Sequence, residues 1–449
     1  MAKENRMGTQ PVKQLIISMS LPMMISMLVQ ALYNVVDSIF VARVGEGALT
    51  AVTLAFPMQN LMIAVGSGTG VGINALLSRS LGEKRFDRSD SAANNGIFLT
   101  FLSFILFLII GLFFSEPFIR SQISDPQIIA YGATYLRIVS CLSFGIFFQM
   151  TFERLLQSTG KTIYSMISQG TGAIINIIFD PLLIFGIGPF PELGVAGAAY
   201  ATVLGQLVGS SIGLFCNLKF NNEINISIKK ILKPEASTIG EIYFVGVPSM
   251  LMMSIGSAMT YLMNLILGTF SATATAVFGV YFKLQSFFFM PVFGLNNGLI
   301  PVLAYNYGAK RKDRIKEALK FAIVLAVSIM VIGCVTFLAI PELLLSFFKA
   351  SDDMLAIGVP ALRTICLSFP LAGVCIAMGS IFQAFSKSFY SLIVSIGRQL
   401  VVLIPVAWLF SKTGNVNMVW WAFPIAELMS LALSSYFFRK LYREKVATM

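Results

Sequence analysis

The sequence predicts an all-α polytopic membrane protein: twelve transmembrane helices in two pseudo-symmetric six-helix bundles. Three observations predict it. Of the 449 residues, 56% are hydrophobic and only 12% are charged, whereas a soluble domain carries about 25% charged residues. Apolar runs recur from residue 15 almost to the end, each long enough for a lipid core of about 30 Å, which takes about 20 helical residues to cross. Finally, one constant offset maps motifs of the first half of the chain onto the second half.

Charge clusters and Gly/Pro/Asn breaks set the spans in order. The first six lie near 14–42, 48–78, 92–115, 128–153, 162–186 and 194–217; the second six near 240–268, 274–306, 317–341, 354–384, 388–411 and 416–438. The first run follows a weakly basic leader with no cleavage-type site, so it reads as a helix and not as a signal peptide. Pro22 and Pro248 fall inside the opening span of each half. Proline removes a helical hydrogen bond, which makes Pro22 either a hinge that bends when Asp37 changes charge or a static kink. The stretch 219–238 is polar and basic and reads as a linker between an N-terminal bundle, 1–218, and a C-terminal bundle, 239–449.

The repeat is carried by Gly82-Glu83-Lys84-Arg85-Phe86-Asp87-Arg88, which returns as Gly308-Ala309-Lys310-Arg311-Lys312-Asp313-Arg314. The same offset pairs Pro22 with Pro248, Gln59 with Gln285, Gly68 and Gly72 with Gly294 and Gly298, and Leu136-Arg137 with Leu362-Arg363. An even number of spans per copy sends both copies into the membrane in the same direction, as parallel repeats about an axis along the membrane normal. Two like bundles with a cavity between them suit alternating access.

Charge placement gives orientation. Of 32 Lys and Arg, 24 fall on the side of the N-terminus, from Lys3 to Lys445; four (Arg43, Arg120, Lys349, Lys412) fall on the other side, and four within spans. By the positive-inside rule both termini are cytoplasmic, and the chain belongs in the inner (plasma) membrane. The net charge of +11 is then explained by topology and anionic headgroups, without nucleic acid. The five cysteines lack metal-ligand spacing and read as small core residues. The absence of histidine removes Ser-His chemistry and most zinc sites.

Ionisable groups inside a bilayer are costly and mark function by default. Four acids qualify: Asp37, Glu153, Asp180 and Glu427. Asp37 and Asp180 both lie about 10 Å below the outer boundary at 1.5 Å per residue, so they can share one site. Tyr33 and Asn34 precede Asp37 by four and three residues, and Asn176 precedes Asp180 by four, which places these groups on common helical faces. Paired carboxyls out of water titrate as a unit and can take up a proton; the same oxygens, with the Thr202 hydroxyl, also suit Na⁺. A purely structural polar network is the alternative, but it leaves unexplained why the second half carries Met263 and Val402 at the matching positions. Glu153, beside Arg154, reads at least as readily as a solvated or paired structural carboxylate as it does as a functional one. Glu427 reads equally as a partner for Arg398 or as functional.

On the substrate side, Met259, Met263, Phe282 and Phe289 offer adaptable apolar and aromatic surface. Gln59 and Gln285 are symmetry mates able to hydrogen-bond a ligand. Each of these also reads as ordinary helix packing.

Further signatures run the length of the chain. Ser20-Leu21-Pro22 opens span one, Tyr33-Asn34-x-x-Asp37 closes it, and Leu81-Gly82-Glu83-Lys84 follows span two. Asn176-x-x-x-Asp180-Pro181, Gly194-Val195-x-Gly197-Ala198-Ala199, Gly279-x-x-x-Lys283-Leu284-Gln285 and Pro424-Ile425-Ala426-Glu427 complete the set. Together they resemble the MATE (multidrug and toxic compound extrusion) family, in its DinF-like prokaryotic branch. The resemblance implies a V-shaped pair of bundles that exports amphipathic, often cationic compounds against an inward H⁺ or Na⁺ gradient. It assigns the coupling ion to the positions of Asp37, Asn176, Asp180 and Thr202, with Tyr33 nearby. The NorM-like branch carries acids in spans seven and ten; this chain has none within the lipid there, so no sodium site is expected in the second bundle. The alternative within the wider superfamily is a lipid-linked oligosaccharide flippase, which calls for more cavity cations than Lys283 and Arg398. No nucleophile with a base and no phosphate loop is visible, so no enzymatic activity and no cofactor are expected. The expected partners are small amphipathic or cationic molecules and the lipid bilayer, with the chain a monomer.

Overall fold

The computed structural model describes residues 4–348 and 350–449; Lys3 and Lys349, counted above in the charge balance, lie outside the described residues. Among the described residues eleven helices are long and apolar enough to cross a bilayer, and one bent pair raises the number to twelve. The described residues form no β-strand. In the first repeat the spans are α1 (Val12–Val44), α2 (Glu46–Gly82), α3 (Phe86–Arg120), α4 (Pro126–Cys141 with Phe144–Ser158), α5 (Thr162–Phe185) and α6 (Val195–Phe220). In the second they are α7 (Ala236–Gly268), α8 (Ala272–Gly308), α9 (Lys312–Ala339), α10 (Asp352–Ala384), α11 (Ser388–Ser411) and α12 (Val416–Val446). Most helices run beyond the limits that charge suggests. Charge marks where lipid ends, but a helix continues into water as long as its backbone bonds are kept, so α2 and α8 reach 37 residues each.

The repeat is visible in backbone detail. Lys84 and Lys310 both take a left-handed conformation, with φ of 58° and 55°. In each turn the following arginine N–H reaches back five residues, Arg85 to Ser80 O and Arg311 to Asn306 O, both at 2.9 Å. The turn after α4 and the turn after α10 match in the same way, with positive φ at Gly160 and Ser386. Helix α4 bends by 45° at Leu142–Ser143, and α10 carries a short 3₁₀ turn, Cys366–Ser368, at the matching place. Their N-caps match too: Asp125 Oδ1 accepts from Gln127 N at 2.8 Å, and Ser351 Oγ accepts from Met354 N at 3.3 Å. Helix α11 carries a π-helical stretch, Gly397–Leu403, and α12 ends in another, Tyr442–Val446.

The chain folds as two compact units. One holds Ile25–Met250; the other holds Arg6–Met24 and Leu251–Met449. The sequence limits at 218 and 239 separate the two repeats, whereas the compact units part inside α1 and α7, two residues beyond Pro22 and Pro248. Both helices stay unbroken through their prolines. Repeated glycines explain why the proline-side halves pack where they do. In unit 1 a Cβ at Gly72 of α2 would collide with the Ile242 carbonyl of α7. In unit 2 a Cβ at Gly298 of α8 would lie 2.6 Å from Ser20 Oγ of α1. The core of unit 1 gathers Val41, Met62, Phe107, Tyr135 and Phe147. The core of unit 2 is aromatic, with Phe278, Phe337, Phe369 and Trp420 fully buried and Phe337 edge-on to Phe369 at 5.1 Å.

Candidate functional site

The acids of α1 and α5 meet in unit 1. Four-residue spacing stacks Tyr33 under Asp37 on α1 and Asn176 under Asp180 on α5. Asp180 is fully buried and Asn176 nearly so, while Asp37 and Tyr33 are half-buried. The two carboxyls come within hydrogen-bond reach of each other. Helix α6 supplies Thr202, whose Oγ1 accepts from Asn176 Nδ2 at 3.3 Å and donates to Ala198 O at 3.0 Å. It is held in register by the backbone: Leu193 N and Gly194 N donate to the Leu183 and Ile184 carbonyls at 3.0 and 3.1 Å. Pro181, just after Asp180, has no N–H and leaves the Ile177 carbonyl without its helical donor.

The oxygens of this cluster are conspicuously unpaired. Among the described residues no donor reaches Asp180 Oδ1 or Oδ2, Asp37 Oδ1 or Asn176 Oδ1. A buried carboxylate without a donor is strongly disfavoured, and two side by side repel each other. One proton turns that repulsion into a carboxyl–carboxylate hydrogen bond, and a small hard cation would satisfy the same oxygens. No group of three or more His, Cys, Asp or Glu forms a metal cluster among the described residues.

Two aromatic groups complete the surroundings. The phenols of Tyr33 and of Tyr135, on α4, stand close enough to feel both carboxyl charges. Tyr135 OH in turn accepts from Gln59 Nε2 of α2 at 3.1 Å. Tyr135 is absent from the sequence reading; its only sequence signal is that the second repeat has Ala361 in its place. Asn34 is exposed and lies outside the buried cluster.

The remaining candidates are dispersed through unit 2. Gln285 Oε1 accepts from Tyr281 OH at 2.9 Å, so each repeat pairs its glutamine with a tyrosine, but from a different position. Met263 is fully buried and Met259 8% exposed. Phe282 stands edge-on to Phe278 at 4.7 Å and Phe289 edge-on to Phe369 at 5.2 Å. Arg398 and Glu427 form an ion pair at 3.3 Å. In unit 1 Glu153 is buried and is not a solvated carboxylate: its Oε1 accepts from Gln149 Nε2 at 3.1 Å and Ser168 Oγ at 3.3 Å.

The MatE family model matches residues 22–182 and 248–409, one segment in each repeat. The chain belongs to the MatE family. Relatives of this MatE chain include the Multidrug export protein MepA of Staphylococcus haemolyticus (strain JCSC1435), 27% identical over 421 residues, covering 93% of this chain and 91% of the relative. MepA of Staphylococcus aureus (strain MSSA476) is 25% identical over 438 residues, covering 97% and 95%. Among solved structures, the outward-facing conformation of a multidrug resistance MATE family transporter of the MOP superfamily matches over 100% of both chains. Its TM-score is 0.93 at 25% identity. The twelve-helix MATE fold expected from the sequence is thus the fold of this MatE protein.

Proposed function

We propose that this protein is a secondary active antiporter that exports amphipathic, often cationic small molecules in exchange for an inward-moving ion bound at Asp37 and Asp180. Membership of MatE and the names of its MepA relatives support multidrug export. The observation that carries the coupling role is the pair of adjacent carboxyls with unsatisfied oxygens in unit 1. Of the two candidate ions, H⁺ suits the geometry better than Na⁺, because a shared proton makes carboxyls at hydrogen-bond reach attract. Asn176 and Thr202 hold the Asp180 side of the site, and Tyr33 and Tyr135 flank it. The distribution of Lys and Arg supports insertion in the plasma membrane with both termini cytoplasmic. The transporter works as a monomer, without cofactor or enzymatic step.

The test is export from proteoliposomes under an imposed pH gradient and, separately, a sodium gradient. Asp37→Asn and Asp180→Asn are each expected to lose gradient-driven ethidium export while the purified protein stays monodisperse. Full export by both variants sinks the coupling site; export driven by sodium alone replaces H⁺ with Na⁺.

A further inference from the structure

A stripe of small and polar residues descends α5 from the acid pair. Asp180, Asn176, Gly172 and Ser168 follow one another at four-residue steps, so they share one face over about 18 Å at 1.5 Å per residue. Helix α6 answers with Thr202, Gly205, Gly209 and Gly213. The helices touch backbone to backbone: a Cβ at Gly172 would lie 2.8 Å from Gly205 O, and one at Gly205 would lie 2.5 Å from Gly172 O. Into the hollow left by these glycines α4 inserts one polar side chain. The Gln149 amide nitrogen lies 2.6 Å from where a Gly209 Cβ would stand and 3.4 Å from that of Gly172.

Gln149 does not end there. Its Nε2 donates to Glu153 Oε1, one turn along α4, and Ser168 Oγ, at the foot of the α5 stripe, reaches both that oxygen and Gly209 O, the latter at 2.7 Å. Below it Gln157 Nε2 donates to Ser165 Oγ at 2.9 Å and Arg154 Nη1 donates to Gln157 Oε1 at 3.1 Å. Polar groups therefore mark the α4–α5–α6 seam from the acid pair to the ends of α4 and α5 that carry Ser158 and Thr162. Packing alone does not call for a carboxyl inside this seam. A glutamine at 153 would accept the same two hydrogen bonds without a charge to bury.

We propose that Glu153 is a second proton-binding carboxyl of unit 1, which receives the coupling proton after it leaves the Asp37–Asp180 pair and passes it to the cytoplasmic side. This rests on the proton-coupled reading above. In the transfer one carboxyl O–H of the pair breaks and one forms on Glu153; the proton then moves to water, and the pair and Glu153 return to their starting charges. The charged group acting on Glu153 is Arg154 of its own helix. Helix α5 turns the Ser168 hydroxyl towards it, and on α6 Gly209 O lies within reach of that same hydroxyl. From α2, Gly70 packs against the Arg154 stem; from α3, Thr100 bonds Thr151, two residues before Glu153, at 2.5 Å. Arg154 keeps the seam near neutrality when Glu153 is ionised and leaves a net positive charge when it is protonated, which favours release.

The experiment compares wild type, Glu153→Gln, Glu153→Asp and Asp37→Asn in proteoliposomes, with ethidium as substrate and an imposed pH gradient. Ethidium binding in detergent serves as the control for folding. Glu153→Gln is expected to bind ethidium like wild type, to lose at least tenfold in driven export, and to flatten the dependence of export on internal pH. Glu153→Asp is expected to recover part of the rate. Wild-type export by Glu153→Gln, with export lost in Asp37→Asn, overturns this inference and leaves the coupling site standing; wild-type export by both overturns the coupling site as well. Loss of ethidium binding by Glu153→Gln makes the residue structural and also overturns the inference.

Discussion

Thr202 shows what single residues contribute to the site. Among the described residues its hydroxyl is the one acceptor for the buried Asn176 amide, and Asn176 in turn stands one turn below Asp180. Replacing Thr202 with valine keeps the volume but leaves a buried donor without a partner, a loss of about 1–3 kcal/mol. Thr202→Val is therefore expected to lower the melting temperature in detergent and to slow driven export, whereas Thr202→Ser keeps most of both. An unchanged melting temperature for the valine variant would mean that Asn176 finds another acceptor. At this scale the sequence was informative where a residue type is rare in its surroundings. Asp37 and Asp180 stood out because lipid excludes carboxylates, and four-residue spacing brought Asn176 and Tyr33 with them. Tyr135, Gln149 and Ser168 were invisible because such residues are common in any helix. Their roles come from partners on other helices, Gln59, Glu153 and Gly209, that no local spacing announces.

At the scale of the helix and its turns, the duplicated chain provides its own control. The turn after α4 uses Gly160 at positive φ, while the matching turn after α10 places Ser386 there at φ 59°. A side chain in that region costs about 1–2 kcal/mol, part of which glycine gives back through the greater freedom of its unfolded chain. Ser386→Gly is expected to raise stability by about 0.5–1 kcal/mol and Gly160→Ser to lower it by about 1 kcal/mol. Opposite shifts in melting temperature on thermal scans of the two variants are the result to look for; shifts of the same sign would show that the two turns are not equivalent. The turn motifs were legible because Gly-x-Lys-Arg recurs at a fixed offset. The bend of α4 and the π-helical stretch of α11 were not legible. The bend of α4 interrupts an apolar run whose composition does not change across the break, and the Gly397-Arg398-Gln399 that opens the α11 stretch signals a polar insertion without saying that the helix widens there.

Across the whole molecule, the twelve spans and the repeat were readable because lipid demands long apolar helices and duplication preserves spacing. The division into compact units was not, since it follows which surfaces pack and not where the loops fall. Its two boundaries lie two residues past Pro22 and Pro248, so in each opening helix the missing proline N–H sits beside the point where the helix passes from one unit to the other. A helix lacking a hydrogen bond there bends more easily than an intact one. If transport requires α1 and α7 to flex at these points, Pro22→Ala and Pro248→Ala both strengthen the helix and impede the movement. The expected result is a higher melting temperature together with driven ethidium export slowed several-fold, and with ethidium binding retained. Neither substitution touches the acid pair, so lost export cannot come from lost ion binding at Asp37 and Asp180. A stabilised Pro22→Ala variant that exports at the wild-type rate would make the proline a static feature of α1 and would place the moving joint elsewhere in the chain.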